Sequence, residues 1–446
     1  MLEHQPVSAQ EAEEHLRPVI SSTDRVAVAV SGGADSMALL WLLTCLMPAS
    51  NILALTVDHG LREGSAREAG IVATWCREKN IRHQTLIWEG KKPVSGLQDA
   101  ARRNRYKLLI RACETEQVKT LCTAHNLDDQ AETVFARLAR ASGPAGLRGM
   151  DKATPVAAGA GASMLLVRPL LDLPRSRLRA TAKAQSLPFS DDPSNEDGAF
   201  ERVRRRAFLA AIDAQHLLEK KMLVHLAEKM RVTAEQQAHH LSAVMRKTGC
   251  YVHGSGALCL TASAFKALEN AEKKILLARL VYAAGAGDYE PSQSSVAQAV
   301  DAVQRVAATT CGGALIRQVG ENLYVMREPA ALLGRRDQPG VAIYQRSVRE
   351  KKILWDNRLI VTMPENTDLT GSARLVPLGD SAQGPEQLRL LASTMPALSL
   401  DGEIIAVPAY VKNMLHPAHA PWNGQTTTLD MNLLIKERLK RQVVRF

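Results

Sequence analysis

The chain has 446 residues, a formal net charge of +10 and seven cysteines; at roughly 150 residues per domain this suggests about three domains, with cores large enough to need no covalent staples. The cysteines are scattered and never spaced as C-x-x-C, which argues against a disulfide framework, a zinc site or a thiol relay. The N-terminal stretch MLEHQPVSAQEAEEHL is acidic and polar, and nowhere do eighteen uncharged apolar residues run together, so the expectation is a soluble, cytoplasmic protein with no membrane partner, while the positive surplus favours polyanions.

In chain order, the first organised stretch is Val26 to Leu43. Alternating Val and Ala predict a short buried parallel strand, and Met37 to Leu43 predict an apolar helix start. Between them lie Ser31, Gly32, Gly33, Ala34, Asp35 and Ser36. Adjacent glycines let backbone N–H groups close on a tetrahedral anion, and a helix N-terminus adds positive dipole. The Walker spacing is absent, which argues against a kinase or GTPase. The blander reading is a glycine turn capped by Asp35 or Ser36.

ILALTVDH then predicts a strand delivering Asp58 and His59 at its C-terminal end, and GLREGSAREAGIVATWCREKN an amphipathic helix. IRHQTLIWEG is a third strand. GLQDAARRNRYKLLIRACETE is a helix with Leu97, Ala101, Tyr106, Leu109 and Ile110 on or near its buried side. VKTLCTAH is a fourth strand, ending in Asn126, Leu127, Asp128 and Asp129, with helix continuing to Arg140. This is a doubly wound α/β pattern with a parallel sheet, and such sheets bind ligands beyond the carboxyl ends of their strands. The ends SGGADS, VDH and HNLDD therefore converge on one crevice.

Within it, Asp58 is placed for the base or ribose of a nucleotide, and Asp128 and Asp129 form a carboxylate pair at a helix start. Hard carboxylate oxygens hold Mg²⁺ between phosphates or accept hydrogen bonds from an ammonium. Glu132 lies three residues after Asp129, on the same helical face. The alternative is that these acids merely cap the helix.

The loop resembles the S-G-G-x-D-S pyrophosphate loop of the N-type ATP pyrophosphatases, which cleave ATP between its α- and β-phosphates. The ordered set SGGADS, VDHGLREGS, AARRNRY, AHNLDDQAET, SGPAGLRGM, RPLL and DDPSN narrows the resemblance to the tRNA(Ile)-lysidine synthetases, over about residues 22 to 210. tRNA-thiolating relatives of the loop usually carry C-x-x-C pairs, absent here. Where the family tends to read Arg-Asn-Arg-Ile-Arg after DPSN, this chain reads Arg202-Val203-Arg204-Arg205-Arg206.

The resemblance implies that the C2 oxygen of the first anticodon cytidine attacks the ATP α-phosphorus, and that free L-lysine then displaces AMP. It implies ATP and Mg²⁺ as cofactors and a tRNA(Ile) with a CAU anticodon as partner; a homodimer is compatible with the sequence. Ser31, Gly32, Gly33, Ala34 and Ser36 would hold pyrophosphate, with Asp35 fixing the loop or, together with Asp128, the metal. Asp129 and Glu132 would hold the substrate lysine, and Asp128, Asp129 or His125 would take its proton. Arg102 and Arg204 would stabilise the adenylated base or contact anticodon phosphates, and the SGPAGLRGM and DPSN loops would shape or close the site.

Beyond residue 210 the periodicity changes. Ala214 to Gly249 and Thr261 to Ala284 read as helical, followed by a helix at Ser292 to Ala307. From Cys311, GALIRQVGENLYVMRE predicts a hairpin, and KKILWDNRLIVTM and DGEIIAVPAYV further strands. The expected layout is a catalytic domain over 1–213, a helical tRNA-binding domain over 214–310 and an α+β tRNA-binding domain over 311–446. A basic run near the C-terminus, including Lys436, Arg438, Lys440, Arg441 and Arg445, is a second candidate for tRNA contact.

Overall fold

The computed structural model describes residues 4–21, 24–60, 64–90, 92, 97–140, 142–157, 163–190, 201–215, 217–287, 290–335, 338–339, 346–347, 352–356, 358–364, 373–379, 386–401, 403–408 and 427–433. The DDPSN motif, Leu61 to Glu63, the Gly159 to Gly161 run and the C-terminal basic run lie outside them. The chain divides into one unit of residues 1–236 with 443–446, and a second of 237–442.

The first unit opens with α1 (Ala9–Leu16), started by a capping box between Ser8 and Glu11. There follow β1 (Val26–Ala29), α2 (Ala34–Leu46), β2 (Ile52–Asp58), α3 (Ser65–Glu78), β3 (Arg82–Ile87), α4 (Leu97–Thr115), β4 (Thr120–Cys122) and α5 (Leu127–Leu138). After a short α6 (Pro144–Leu147) come β5 (Ala153–Ala157), β6 (Ser163–Val167), α7 (Arg175–Ala184), α8 (Glu201–Ala214) and α9 (Lys220–Lys247). The sheet order is β3-β2-β1-β4-β6-β5. β1, β2, β3, β4 and β6 run parallel, and β5 turns back antiparallel on β6 at the edge. That hairpin is an addition to the expected parallel sheet.

β1 is central because its side chains are apolar on both faces. Val26 and Val28 join α1, α2 and α7 in one core, while Ala27 faces Tyr106, Leu109 and Cys113 of α4 in the other. α2 is nearly apolar all round, with Met37, Leu39, Leu40, Leu42 and Leu43 fully buried. Each such side chain contributes roughly 1.5–3 kcal/mol, enough to fix a helix whose first turn has no side-chain cap. The loop between β1 and α2 is thereby held rigid from both ends.

In the second unit, β7 (Tyr251–Val252) and β8 (Leu258–Thr261) precede helices α10 (Ala262–Lys266), α11 (Asn270–Ala284) and α12 (Gln293–Gln304). Then come β9 (Thr309–Cys311), β10 (Ala314–Val319) and β11 (Asn322–Arg327). The expected hairpin is present, turning at Gly320 and Glu321, but β11 also pairs with β8, giving the sheet β7-β8-β11-β10-β9. α11, α12 and this sheet enclose a single core containing Leu258, Leu276, Leu280, Val300, Ile316 and Val325. The sheet and core thus run across residue 310, where the periodicity suggested a boundary, because β8 is too short to register in a helix-dominated stretch. Further on, a mainly antiparallel seven-stranded sheet includes Lys352–Trp355, Leu359–Thr362, Ala373–Pro377 and Glu403–Pro408.

Candidate active site

The loop after β1 turns through Gly32 at φ +83°, a conformation glycine adopts without strain. Ser36 ties it together. Its Oγ accepts from the Ser31 N–H at 3.1 Å and donates to the Gly33 carbonyl at 2.9 Å, with Ser31 Oγ 3.2 Å away. The first α2 bond runs from Met37 N–H to Gly33 O. The preceding N–H groups of Ala34, Asp35 and Ser36 therefore face outward from the helix N-terminus, as an anion site requires. Ser36 is consequently a builder of the loop as well as a candidate phosphate contact.

Asp128, Asp129 and Glu132 project from the first turns of α5, and Asp35 meets them from α2. Asn126 caps α5 through a reciprocal box with Asp129, and its Nδ2 also donates to Asp35 Oδ2 at 2.9 Å. The capping reading and the site reading are both true of Asp129. Arg175, at the start of α7, joins the two helices: its Nε lies 3.2 Å from Asp35 Oδ2 and its Nη2 2.9 Å from Asp129 Oδ1, with Glu132 3.9 Å from Nη1. The Arg175 backbone N–H also donates to Asp128 Oδ2 at 2.9 Å. Lys220 Nζ, from α9, donates to Asp128 Oδ1 at 2.8 Å, and Arg206 Nε, from α8, to Glu132 Oε1 at 2.7 Å.

Among the described residues, four carboxylates thus share three cations. Burial pushes the Asp35 carboxyl up to about 6, against the pull of Arg175 and with a further push from Asp129 and Asp128. Burial also opposes ionisation of Asp128, but the Lys220 ammonium and the Arg175 N–H outweigh it and hold that carboxyl below its ordinary value. Arg175 and Lys220 are held above their ordinary values by the acids around them, despite their own burial. Among the described residues no group of three or more His, Cys, Asp or Glu is arranged to hold a metal ion. A small dication that takes one or two carboxylates, keeps its waters and bonds to phosphate still fits, since the oxygen set is hard and Asp35 is crowded by like charge beside the anion loop.

At the end of β2, Asp58 Oδ1 accepts from Ser65 Oγ at 2.7 Å and from Gly60 N–H at 2.8 Å, and these bonds lower its pKa. His59 stands edge-on to Trp88, with burial lowering its pKa and its Nδ1 buried with no hydrogen-bond partner among the described residues. His125 Nδ1 lies 2.8 Å from Thr123 Oγ1. Arg102 is exposed on α4, its guanidinium 5.3 Å from the Tyr106 ring centroid, and Arg105 lies 5.5 Å from the same ring. Arg105 Nε and Asn104 Nδ2 are also buried, with no hydrogen-bond partner among the described residues. Arg204 is exposed on α8; two residues on, Arg206 reaches Glu132.

The sequence reading missed Arg175 and Lys220. A signal was present: α7 and α9 both begin with basic residues and have no acidic residue in the first turn. Cations at a helix N-terminus oppose the dipole, so they need carboxylates nearby.

The SGPAGLRGM loop is pinned. Gln130 bonds to both the N–H and the carbonyl of Met150, at 2.8 and 2.9 Å, and Arg137 donates to the Gly146 and Gly149 carbonyls at 2.7 and 2.8 Å. Arg231 of α9 pairs with Asp151 and donates to the carbonyls of Arg148 and Met150. In the RPLL motif, Arg168 is buried and donates to Asp151 O and Thr154 Oγ1, both at 2.9 Å.

An anion-ready loop at the head of a parallel sheet, facing an acidic cluster on the next strand end, defines a PP-loop ATP-binding domain, and residues 4–213 match the model of the PP-loop domain. Relatives named tRNA(Ile)-lysidine synthase align over most of the chain. That of Ruegeria pomeroyi is 33% identical over 90% of this chain and 93% of its own. That of Methylobacterium sp. strain 4-46 is 36% identical over 73% and 96%, and that of Bradyrhizobium sp. strain BTAi1 45% identical over 51% and 63%. The chain belongs to the tRNA(Ile)-lysidine synthase family, and is an ATP-dependent ligase.

Proposed function

We propose that the protein joins free L-lysine to C2 of the first anticodon cytidine of a tRNA(Ile) bearing CAU, changing codon reading from AUG to AUA. The C2 oxygen attacks the α-phosphorus of ATP, the bond to pyrophosphate breaks, and the cytidine is adenylated. The lysine ε-amine then bonds to C2, the C2–O bond breaks, and AMP leaves with the oxygen while the amine gives up its proton. The observation that carries this reading is the Arg175 bridge between Asp35 of the phosphate loop and Asp129 of the acidic cluster. One guanidinium spans the two halves of the reaction.

Outward N–H groups of Ala34, Asp35 and Ser36 are placed to take charge as pyrophosphate departs, a preorganised donor set that costs no rearrangement. Ser31, Gly32 and Gly33 complete the cradle, and Asp58 is suited to the nucleoside. Asp129 and Glu132 are suited to the lysine ammonium, with Asp128 or His125 as proton acceptor. Asp35 and Asp128 would hold Mg²⁺, which when bound neutralises phosphate charge. Arg102, Arg105 and Arg204 supply positive charge for the tRNA, and the second unit supplies surface for the rest of it. A cytoplasmic setting and a homodimer complete the proposal.

The test is incorporation of labelled L-lysine into an unmodified tRNA(Ile) transcript with a CAU anticodon, beside Asp35→Ala and a methionine tRNA with the same anticodon. Label entering the isoleucine tRNA alone, with AMP and pyrophosphate released, is the expected result. AMP without lysine incorporation would refute the nucleophile; no AMP would refute the reaction.

A further inference from the structure

Lys220 brings into the acidic cluster the same functional group that the proposed substrate carries. Its Nζ sits 2.8 Å from Asp128 Oδ1 and 3.6 Å from Asp213 Oδ2. Asp128 is otherwise bonded to the Arg175 backbone N–H through its other oxygen, so Oδ1 is the oxygen an incoming ammonium would use. The Lys220 side chain is 28% exposed and Asp128 16%, which puts the pair at the rim of the cluster. Asp213, at 33% exposure, offers the ammonium a second and wetter partner within a short rotation of the side chain.

We propose that Lys220 is a resident competitor for the substrate's amino group at Asp128, and so sets which amines the site accepts; this rests on the lysine-ligation reading above. A tethered ammonium acts at an effective concentration on the order of mM or above. An amine that offers the site nothing but its charge must displace that ammonium at a loss. Free L-lysine carries a second amino group and a carboxylate, whose contacts with neighbouring groups of the site offset the displacement. On release, Lys220 turns to Asp213. Arg175 and Arg206 cannot play this part, because each is held by Asp129 or Glu132 from a forked, multiply bonded position.

The test is steady-state lysine incorporation by the full chain carrying Lys220→Met, Lys220→Arg or Asp213→Asn, with the KM for lysine, ATP and Mg²⁺ measured separately. A partly exposed ion pair of this kind is worth about two- to five-fold in binding. Lys220→Met is expected to lower the KM for lysine by about that factor, leave that for ATP unmoved, and strengthen inhibition by 1,5-diaminopentane. Lys220→Arg should restore the original KM. Asp213→Asn, which removes the alternative partner, should raise it, and this variant decides the matter if Lys220→Met fails to fold. An unchanged or raised lysine KM in Lys220→Met, a fall in the Mg²⁺ requirement instead, or an unmoved KM in Asp213→Asn overturns the proposal. If the unaltered protein incorporates no lysine, the reaction assignment falls and this inference with it. Incorporation with unmoved KM values overturns this inference alone.

Discussion

Replacing Asp35 by Asn should make the folded protein more stable at pH 8 while abolishing its activity. Asp35 is raised from 3.8 to about 6, chiefly by burial, with Asp129 and Asp128 adding repulsion that Arg175 only partly offsets. For an acid raised in the folded state, stability is fully present below the unfolded value and lost as pH rises through the folded one. The gap between 3.8 and about 6 corresponds to about 3 kcal/mol of destabilisation above pH 7. The side chain is 26% exposed, so solvent screening makes that an upper bound, and loss of the ionic partner of Arg175 reduces it further. Asn keeps the shape and an oxygen to accept from Asn126 or Arg175. A gain of about 1–3 kcal/mol at pH 8 would raise the melting temperature by roughly 2–12 °C for a unit of this size. At pH 5, where the native carboxyl is largely protonated, the gain should fall to about half. Paired thermal or urea melts of both proteins at the two pH values measure this. A variant less stable than the original at pH 8, or an equal difference at both pH values, would refute the reasoning.

Gly32→Ala should cost about 1–2 kcal/mol from backbone strain at φ +83°, since an added Cβ meets only ordinary contacts at 3.7 Å, and it should raise the KM for ATP. Gly149→Ala should be more damaging, roughly 2–4 kcal/mol by chemical denaturation, because its Cβ would lie 2.7 Å from Gln130 Oε1 in addition to the strain at φ +71°. Arg206→Gln is expected to raise the KM for lysine with little change in that for ATP, as Glu132 loses its 2.7 Å partner; an equal change in both would contradict the assignment of Glu132 to the lysine side.

The strand ends were legible because each motif closes an apolar run, and a parallel sheet leaves its carboxyl ends nowhere to go but one crevice. The β1–α2 loop, Asp58, and the Asp128 and Asp129 pair all lie at or just beyond the carboxyl ends of β1, β2 and β4, and Arg175 draws Asp35 and Asp129 together. Arg175 escaped because its hydrogen-bonded carboxylate partners lie 46 to 140 residues away, and Lys220 because Asp128 lies 92 residues away, distances that local periodicity does not span. β8 escaped for a related reason: four residues amid helices, flanked by only the two-residue β7, owe most of their strand pairing to β11, some sixty residues on. Arg204 illustrates the limit of a run of like residues, since composition names a cluster while helical phase turns Arg206 toward Glu132 and leaves Arg204 exposed.

The SGPAGLRGM loop is fastened in one shape by Gln130, Arg137 and Arg231. A loop fastened in this way asks little further ordering of its own backbone when a ligand binds nearby. One of its three fastenings belongs to α9, a helix that continues past residue 236 into the second unit. Substitutions around Arg231 on that helix are therefore expected to alter the shape of this loop, while Lys220 at the start of the same helix keeps its bond to Asp128.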